Sequence, residues 1–333
     1  MAEPIFTITP PVESSGFMTV TDALGRRLTL VPRDQTPPAG LLPSQIIFTP
    51  VRRTAGLSGN YDLGIMKALG VLDTLVGVVD SDDDSVSREI LTALPPEAEK
   101  PVFLGHWDAP DYEKVKTLKP DLILGGTLRG LDIFEAMECP AVFTYSHEAN
   151  GLEDRLRFIE FLAVLYDRRP KAKSIALNIR RVLAELKASL PAGPGPKVLY
   201  GDFWADKPMV HPANHWTAQI LSAVGGRLVF PEVTGSRDFS VSLEEFYLRG
   251  QEADIFLPTL SVIYGFTTKQ ELLLAHPLLN RFKSMKPGGR VYMTLQKMYV
   301  ETGEIAALAR DLAYIVNPDL HPGHRLTYLK FMP

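Results

Sequence analysis

Short apolar runs alternate with amphipathic segments along most of this 333-residue chain. After a proline-rich leader, "MTVTDALGRRLTLVP" alternates apolar and polar residues around Ala23-Leu24-Gly25 and predicts a β-hairpin. Strand and helix patterns then take turns: strand "QIIFTP", a helix around "YDLGIMKALG", strand "TLVGVV", a helix around "SVSREILTAL", strand "PVFLGH", helix "DYEKVKTL", then strands "DLILGG" and "AVFTY". Continuous apolar strands separated by helices predict a parallel sheet covered on both faces, forming an N-terminal α/β lobe over residues 1–150.

Residues 151–190 read as a helical connection, because two helices follow one another with no strand between them. In the second, Pro170 suits the first helical turn, and Ile175, Ile179, Val182, Leu183 and Leu186 recur at helical spacing. At 1.5 Å per residue the stretch from Pro170 to Ser189 would be roughly 30 Å long, enough to cross from one lobe to another. "PAGPGP" ends it. A second α/β lobe follows over 191–300: "KVLYG", a helix from "HPANHWTAQILSAVGG", "RLVF", a helix after Leu243, "DIFLP", a helix near "TKQELLLAH", and "RVYMT". Residues 301–333 form a C-terminal helix, stopped by Asn317-Pro318, and a tail.

One piece of grammar occurs twice. "DYEKVKTLKPDLIL" places a glutamate-headed helix before a break, an aspartate and an apolar strand; "SLEEFYLRGQEADIFLP" does the same. The pattern returns without the residues, a weak internal repeat of two similar units.

Size and composition narrow the class. The chain exceeds the size at which single cores stop growing, which agrees with two lobes. The apolar fraction is 45%, charged residues make up 22%, and the net charge is -4. With no basic stripe, nucleic acid is not an expected partner. The single cysteine, Cys139, excludes an internal disulfide and a multi-cysteine metal site, and reads as a buried inert thiol. No run approaches the roughly twenty apolar residues of a membrane span. "MAEPIFTITPPVESSG" lacks the basic and apolar regions of a signal peptide, so a cytosolic protein and an exported one whose targeting segment was removed both fit.

Six blocks in order, from Val20 to Pro322, resemble one family: "VTDALGRRLTLVP", "IMKALGVLDTLVGVV", "EKVKTLKPDLIL", "AQILSAVGGRLVF" with its paired Gly225-Gly226, "HPLLNRFKSMKPGGRVY" and "LARDLAYIVNPDL". The chain is similar to the substrate-binding proteins of ABC importers for iron-siderophore, haem, cobalamin and related metal complexes. The resemblance implies two Rossmann-like α/β lobes joined by a single long backbone helix, the class III periplasmic-binding-protein fold, with cargo held in the cleft between the lobes. It further implies an exported monomer, periplasmic or membrane-anchored outside the cell, with no intrinsic cofactor, that delivers a small-molecule metal chelate to a transmembrane permease. The family's permease-docking carboxylates would fall on Glu113 and Glu244. A solvated glutamate at each helix start is the plainer reading of both residues.

In open α/β sheets ligands lie beyond the carboxyl ends of the strands. On that rule Arg52 and Arg53, after "IIFTP", are forked donors for carboxylate, catecholate or oxyanion groups, with Tyr61 nearby; a surface arginine pair is the other reading. His106 and Trp107 follow "VFLG" and offer an imidazole and a flat apolar wall, or a satisfied loop histidine beside a half-buried tryptophan. Tyr145 and His147 follow "AVFT", and Arg129 sits in "LGGTLRG". The second lobe is richer: "GDFWADKPMVHPANHW" groups Trp204, His211, His215 and Trp216, with Pro212 expected at the first helical position and His215 one turn after His211. Two histidines so spaced suit a metal or an anionic metal complex, and a zinc site would need a third ligand. Tyr264, after "DIFLPTLSVI", is expected to close the far side. "SDDDS" lacks the alternation and closing glutamate of a calcium loop and reads as a solvated turn.

The expected cargo is a metal complex, a ferric siderophore first and haem or a corrinoid next, with a molybdate-like oxyanion as runner-up. An alternative of another class is a two-lobed chelatase-like metalloenzyme using His211 and His215. "GLSGN" falls one glycine short of a nucleophile elbow, and no G-x-x-x-x-G-K, G-x-G-x-x-G or H-E-x-x-H motif is present, so the receptor reading is preferred and no catalytic residue is assigned.

Overall fold

The computed structural model describes every residue except 1–5, 12–15, 80–84, 126–130, 145–150, 205–206, 236–237, 260–264, 296 and 301. The expected hairpin is present: β2 (Met18–Thr21) pairs antiparallel with β3 (Arg27–Pro32), and β1 (Thr7–Thr9) extends it on the other side of β2. Asp22 closes its turn, its carboxylate accepting the N–H groups of Leu24 and Arg26 at 3.0 Å. The fourth strand of this sheet is β4 (Ile46–Thr49), parallel to β3. This corrects the expectation that "QIIFTP" opens the main parallel sheet.

That sheet is built on β5 (Thr54–Leu57), whose residues "TAGL" carry little of the β-branched bulk that marks a strand, yet all four are buried. After β5 come α1 (Asn60–Leu69), β6 (Leu75–Val78), α2 (Ser85–Leu91) and β7 (Val102–Phe103). A two-stranded hairpin of β8 (Gly105–His106) and β9 (Ala109–Pro110) leads into α3 (Tyr112–Leu118), β10 (Leu122–Gly125), α4 (Leu131–Ala136) and β11 (Ala141–Phe143). The five-stranded order is β11-β10-β5-β6-β7, parallel throughout. Gly77 in β6 is required by close approach: a Cβ there would lie 2.7 Å from Leu104 Cδ1 and 2.8 Å from Leu118 Cδ1.

Helix α5 (Leu152–Leu165) precedes α6 (Arg169–Ala188), which contains 20 residues. The chain divides into two compact units, and α6 leaves the first after Ile175 to continue in the second. Ala172, Ala176, Ile179 and Val182 form its buried stripe, close to the periodicity read from the sequence.

In the second unit β12 (Lys197–Trp204) does two jobs. Its first half pairs in parallel with β14 (Arg227–Leu228) and β16 (Ile255–Leu257); its second half pairs antiparallel with β13 (Lys207–Val210). Between these strands lie α7 (Trp216–Ala223), β15 (Phe239–Ser240) and α8 (Leu243–Gly250), and after them α9 (Lys269–Ala275), β17 (Arg290–Thr294), α10 (Lys297–Val300), α11 (Ile305–Val316) and β18 (Leu329–Phe331). The sheet path is β15-β13-β12-β16-β17-β18, with β14 beside β12. Gly225, after α7, has φ +93°, a conformation that only glycine takes at no steric cost.

The two units share a topology. In the first, β10 follows α3 and pairs on the side of β5 away from β6; in the second, β16 follows α8 and pairs on the side of β12 away from β14. Each unit has its own core: Leu104, Val115, Ile123, Phe134 and Phe143 in the first, Leu199, Phe246, Phe256, Phe282 and Val291 in the second. Among the described residues no helix is long and apolar enough to cross a membrane.

Candidate ligand-binding site

The parallel part of β12 ends at Tyr200, opposite Leu257 at the end of β16, and side chains with chemistry gather there. Strand order reverses about β12, with β14 on one side and β16 on the other, which is where open α/β sheets leave a crevice. His211 leaves the end of β13 with its N–H donated to the Tyr200 carbonyl at 3.2 Å. Its ring stacks on Tyr200, centroids 4.1 Å apart, and lies 5.3 Å from the ring of His215. Nε2 of His211 meets Thr259 Oγ1 at 3.1 Å, and Nδ1 lies 2.5 Å from the Asp238 carboxylate, in charge contact but off the hydrogen-bond line.

His215 is not within a helix that begins at Pro212, as expected from the sequence. It is the N-cap of α7, which starts at Trp216, and its Nδ1 accepts the N–H of Thr217 at 3.4 Å. The two histidines therefore approach because one ends a strand and the other starts a helix. Burial above all, then the neighbouring His211 and Arg155, pushes the pKa of His215 well below the ordinary imidazole value. Trp216 is 2% exposed, with the Arg155 guanidinium 5.0 Å from its ring centroid, so it packs inside instead of offering a wall to a ligand. Trp204, in contrast, is 57% exposed at the end of β12. Among the described residues no three His, Cys, Asp or Glu side chains converge as metal ligands.

The first unit offers a thinner set. His106 and Trp107 sit on the short β8–β9 hairpin, their rings 5.7 Å apart, with His106 Nδ1 against the Asp108 carboxylate and Trp107 49% exposed. Tyr61 lies in the first turn of α1, after the carboxyl end of β5. Arg52 and Arg53 do not follow a carboxyl end of the parallel sheet. They precede β5, at its amino end, because the strand before them belongs to the other sheet. The Arg53 guanidinium donates to the carbonyls of Leu118 and Lys119, at 2.6 and 3.3 Å, and so closes the end of α3. Arg129, Tyr145, His147 and Tyr264 fall outside the described residues, as does most of "SDDDS".

A family model described as "Periplasmic binding protein" matches residues 59–296. The chain belongs to the periplasmic binding protein family. The fold agrees: a periplasmic binding protein from Veillonella parvula superposes with a TM-score of 0.66 at 17% identity, over 94% of this chain and 98% of that one. The periplasmic heme binding protein HutB of Vibrio cholerae gives 0.62 at 17% identity, over 79% and 98%. Both likenesses concern the class III fold. A curated relative, the Fe(3+)-citrate-binding protein YfmC of Bacillus subtilis, is 24% identical over 221 residues, 66% of each chain, so the aligned part spans just under two thirds of the relative's length.

Within this periplasmic binding protein, the two candidate docking carboxylates occupy equivalent places. Glu113 is exposed in the first turn of α3, behind an Asp111 cap that accepts the Lys114 N–H at 3.0 Å. Glu244 is exposed in the first turn of α8, behind a Ser242 cap that accepts the Glu245 N–H at 3.1 Å. Glu245 is ion-paired to Arg249 at 3.1 Å, whereas neither Glu113 nor Glu244 forms an ion pair among the described residues. Sequence reasoning missed Tyr200, Thr259, Asp238 and Arg155. Arg155 left a trace: it stands at an apolar position of α5, beside Leu156, and is 2% exposed.

Proposed function

We propose that this periplasmic binding protein is the solute-binding component of an ABC importer and captures a metal complex, a ferric chelate of the siderophore or citrate class first, for delivery to a membrane permease outside the cytoplasm. The observation that carries the reading is the cluster of Tyr200, His211 and His215 where the parallel pairing of β12 with β16 ends, a set of flat rings with polar edges. Such a set suits a cargo with aromatic or conjugated surface and oxygen atoms at its periphery. The relative named for Fe(3+)-citrate supports the iron-chelate class. Glu113 and Glu244 serve as the permease contacts: each is an exposed carboxylate with no ion pair among the described residues, at a capped helix start where the helix dipole favours negative charge. The role is that of a receptor; the cargo is held and released unchanged.

The test is native mass spectrometry of whatever co-purifies, followed by titration with ferric citrate, ferric hydroxamate and catecholate chelates, haem and cobalamin. Fluorescence from the exposed Trp107 and Trp204 is the readout. Saturable quenching by at least one ferric chelate, weakened in His215→Ala, is the expected result. Binding of none of these, with no co-purifying metal complex, would end the proposal.

A further inference from the structure

The hydrogen bonds around His215 decide whether its ring can ligate the cargo's metal. A ring nitrogen ligates a metal through a free lone pair, and a neutral imidazole has one lone pair and one N–H. At His215 the lone pair belongs to Nδ1, which accepts the Thr217 N–H at 3.4 Å as the N-cap of α7. The proton of the neutral ring is therefore on Nε2. Nε2 has no hydrogen-bond partner among the described residues, and His215 keeps part of its surface open.

His211 is less constrained. A carboxylate oxygen of Asp238 lies 2.5 Å from Nδ1, in charge contact but off the hydrogen-bond line, and so does not fix where the ring proton sits. Nε2 faces the Thr259 hydroxyl at 3.1 Å, accepting from it or donating to it according to the tautomer. Of the two rings, only that of His215 has its tautomer set by a backbone N–H.

We infer that His215 is not a metal ligand, and that it presents its Nε2–H to an oxygen acceptor of the cargo. At this ring the protein reads an outer oxygen atom of the chelator and not the metal. This deepens, and rests on, the receptor reading above. His215 is thereby excluded as a ligand to a bare cation, and to a chelate that leaves a coordination position open. Tyr200, stacked on His211 with its ring centroid 6.2 Å from that of His215, packs beside the donor.

Long-range proton–nitrogen NMR on the full chain at neutral pH decides the nitrogen assignment, with His215→Asn, which keeps a good N-cap, identifying the signal. The expected spectrum shows a protonated Nε2 and an acceptor-type Nδ1 for His215; the opposite tautomer would overturn the inference. Titration with Co2+ and with Zn2+ is a second arm. No visible band that depends on His215 is expected, and a Co2+ band abolished in His215→Ala would refute it. Gallium(III) citrate, a diamagnetic stand-in for the ferric chelate, is the third: the Nε2–H signal should persist and shift on binding, whereas its loss to metal coordination would overturn the proposal. If no chelate binds at all, the receptor reading fails, while the spectrum of the free protein still decides which nitrogen carries the proton.

Discussion

Asp254 and Lys197 exchange two hydrogen bonds: the Asp254 N–H donates to the Lys197 carbonyl at 2.9 Å, and the Asp254 carboxylate accepts the Lys197 N–H at 2.8 Å. In the other unit Asp121 does the same with Arg53, at 2.8 and 3.1 Å. Each aspartate stands just before the strand that joins its sheet on the far side of the first strand, and each holds the residue just before, or at, the start of that first strand. The recurrent aspartate of "KPDLIL" and "EADIFLP" is thus a latch between two strands of one sheet, and the glutamate-headed helix before it is carried to the same place in both units.

Replacing Asp254 by alanine leaves the Lys197 N–H without its side-chain acceptor and should cost about 1–3 kcal/mol, seen as a lower urea midpoint at unchanged slope. Burial raises the Asp254 pKa, but the hydrogen bond from Lys283, the Lys197 N–H and the charges of Lys283 and Arg290 outweigh it and hold the carboxyl below its ordinary value. A group with a depressed folded pKa stabilises above its unfolded value near 3.9, and that contribution is lost as pH falls through the folded pKa. The gap between the native protein and Asp254→Asn should therefore narrow in acid below about pH 4. A gap unchanged down to pH 2 would contradict the latch.

His215 should matter to stability through its cap. His215→Ala is expected to lose about 1 kcal/mol and His215→Asn to lose little, measured by chemical denaturation at pH 7.5. Because burial, His211 and Arg155 keep the folded pKa well below 6.5, the unfolded chain binds more protons once the pH drops under that value. Stability from His215 is complete above about pH 6.5 and declines below it, so the native protein should lose more stability between pH 7.5 and 5.5 than His215→Asn. Equal slopes for the two proteins would refute the neutral, capped imidazole.

Cys139 is 7% exposed, and burial first, then the nearby Asp121, pushes its thiol up to about 12. A thiol so placed has almost no thiolate at neutral pH. Native protein should be inert to a chromogenic disulfide reagent at pH 8 for hours and react stoichiometrically in denaturant. Rapid labelling of the native chain would overturn the assignment.

Exchanging Glu113 and Glu244 for lysine should leave cargo affinity within about twofold, since neither carboxylate touches the histidine cluster, and should lower uptake by at least tenfold when the cognate permease is present. Glu245→Lys is the control on α8, for that carboxylate is engaged by Arg249. Normal uptake by the double variant would remove these residues from the docking surface.

Local pattern carried a long way here. The hairpin around Gly25, the order of strands and helices, the stripe on α6 and the glutamate-headed helices α3 and α8 all follow from periodicity, turn residues and caps, which depend on neighbours within a few positions. Three features did not yield to it. β5, "TAGL", shows no β-branched apolar run, Arg53 lies at the amino end of β5 because the strand before it joins another sheet, and "GDFW" with "KPMV" hides an antiparallel hairpin inside a parallel pattern. Long-range partners are also out of reach of local pattern: Thr259 is 48 residues from His211, and Arg53 is 68 from Asp121. Periodicity records which face of an element is buried, since that choice repeats along the chain; it holds no record of which distant backbone or side chain meets that face. Those pairings are selected only when the sheets close and every buried donor must find an acceptor.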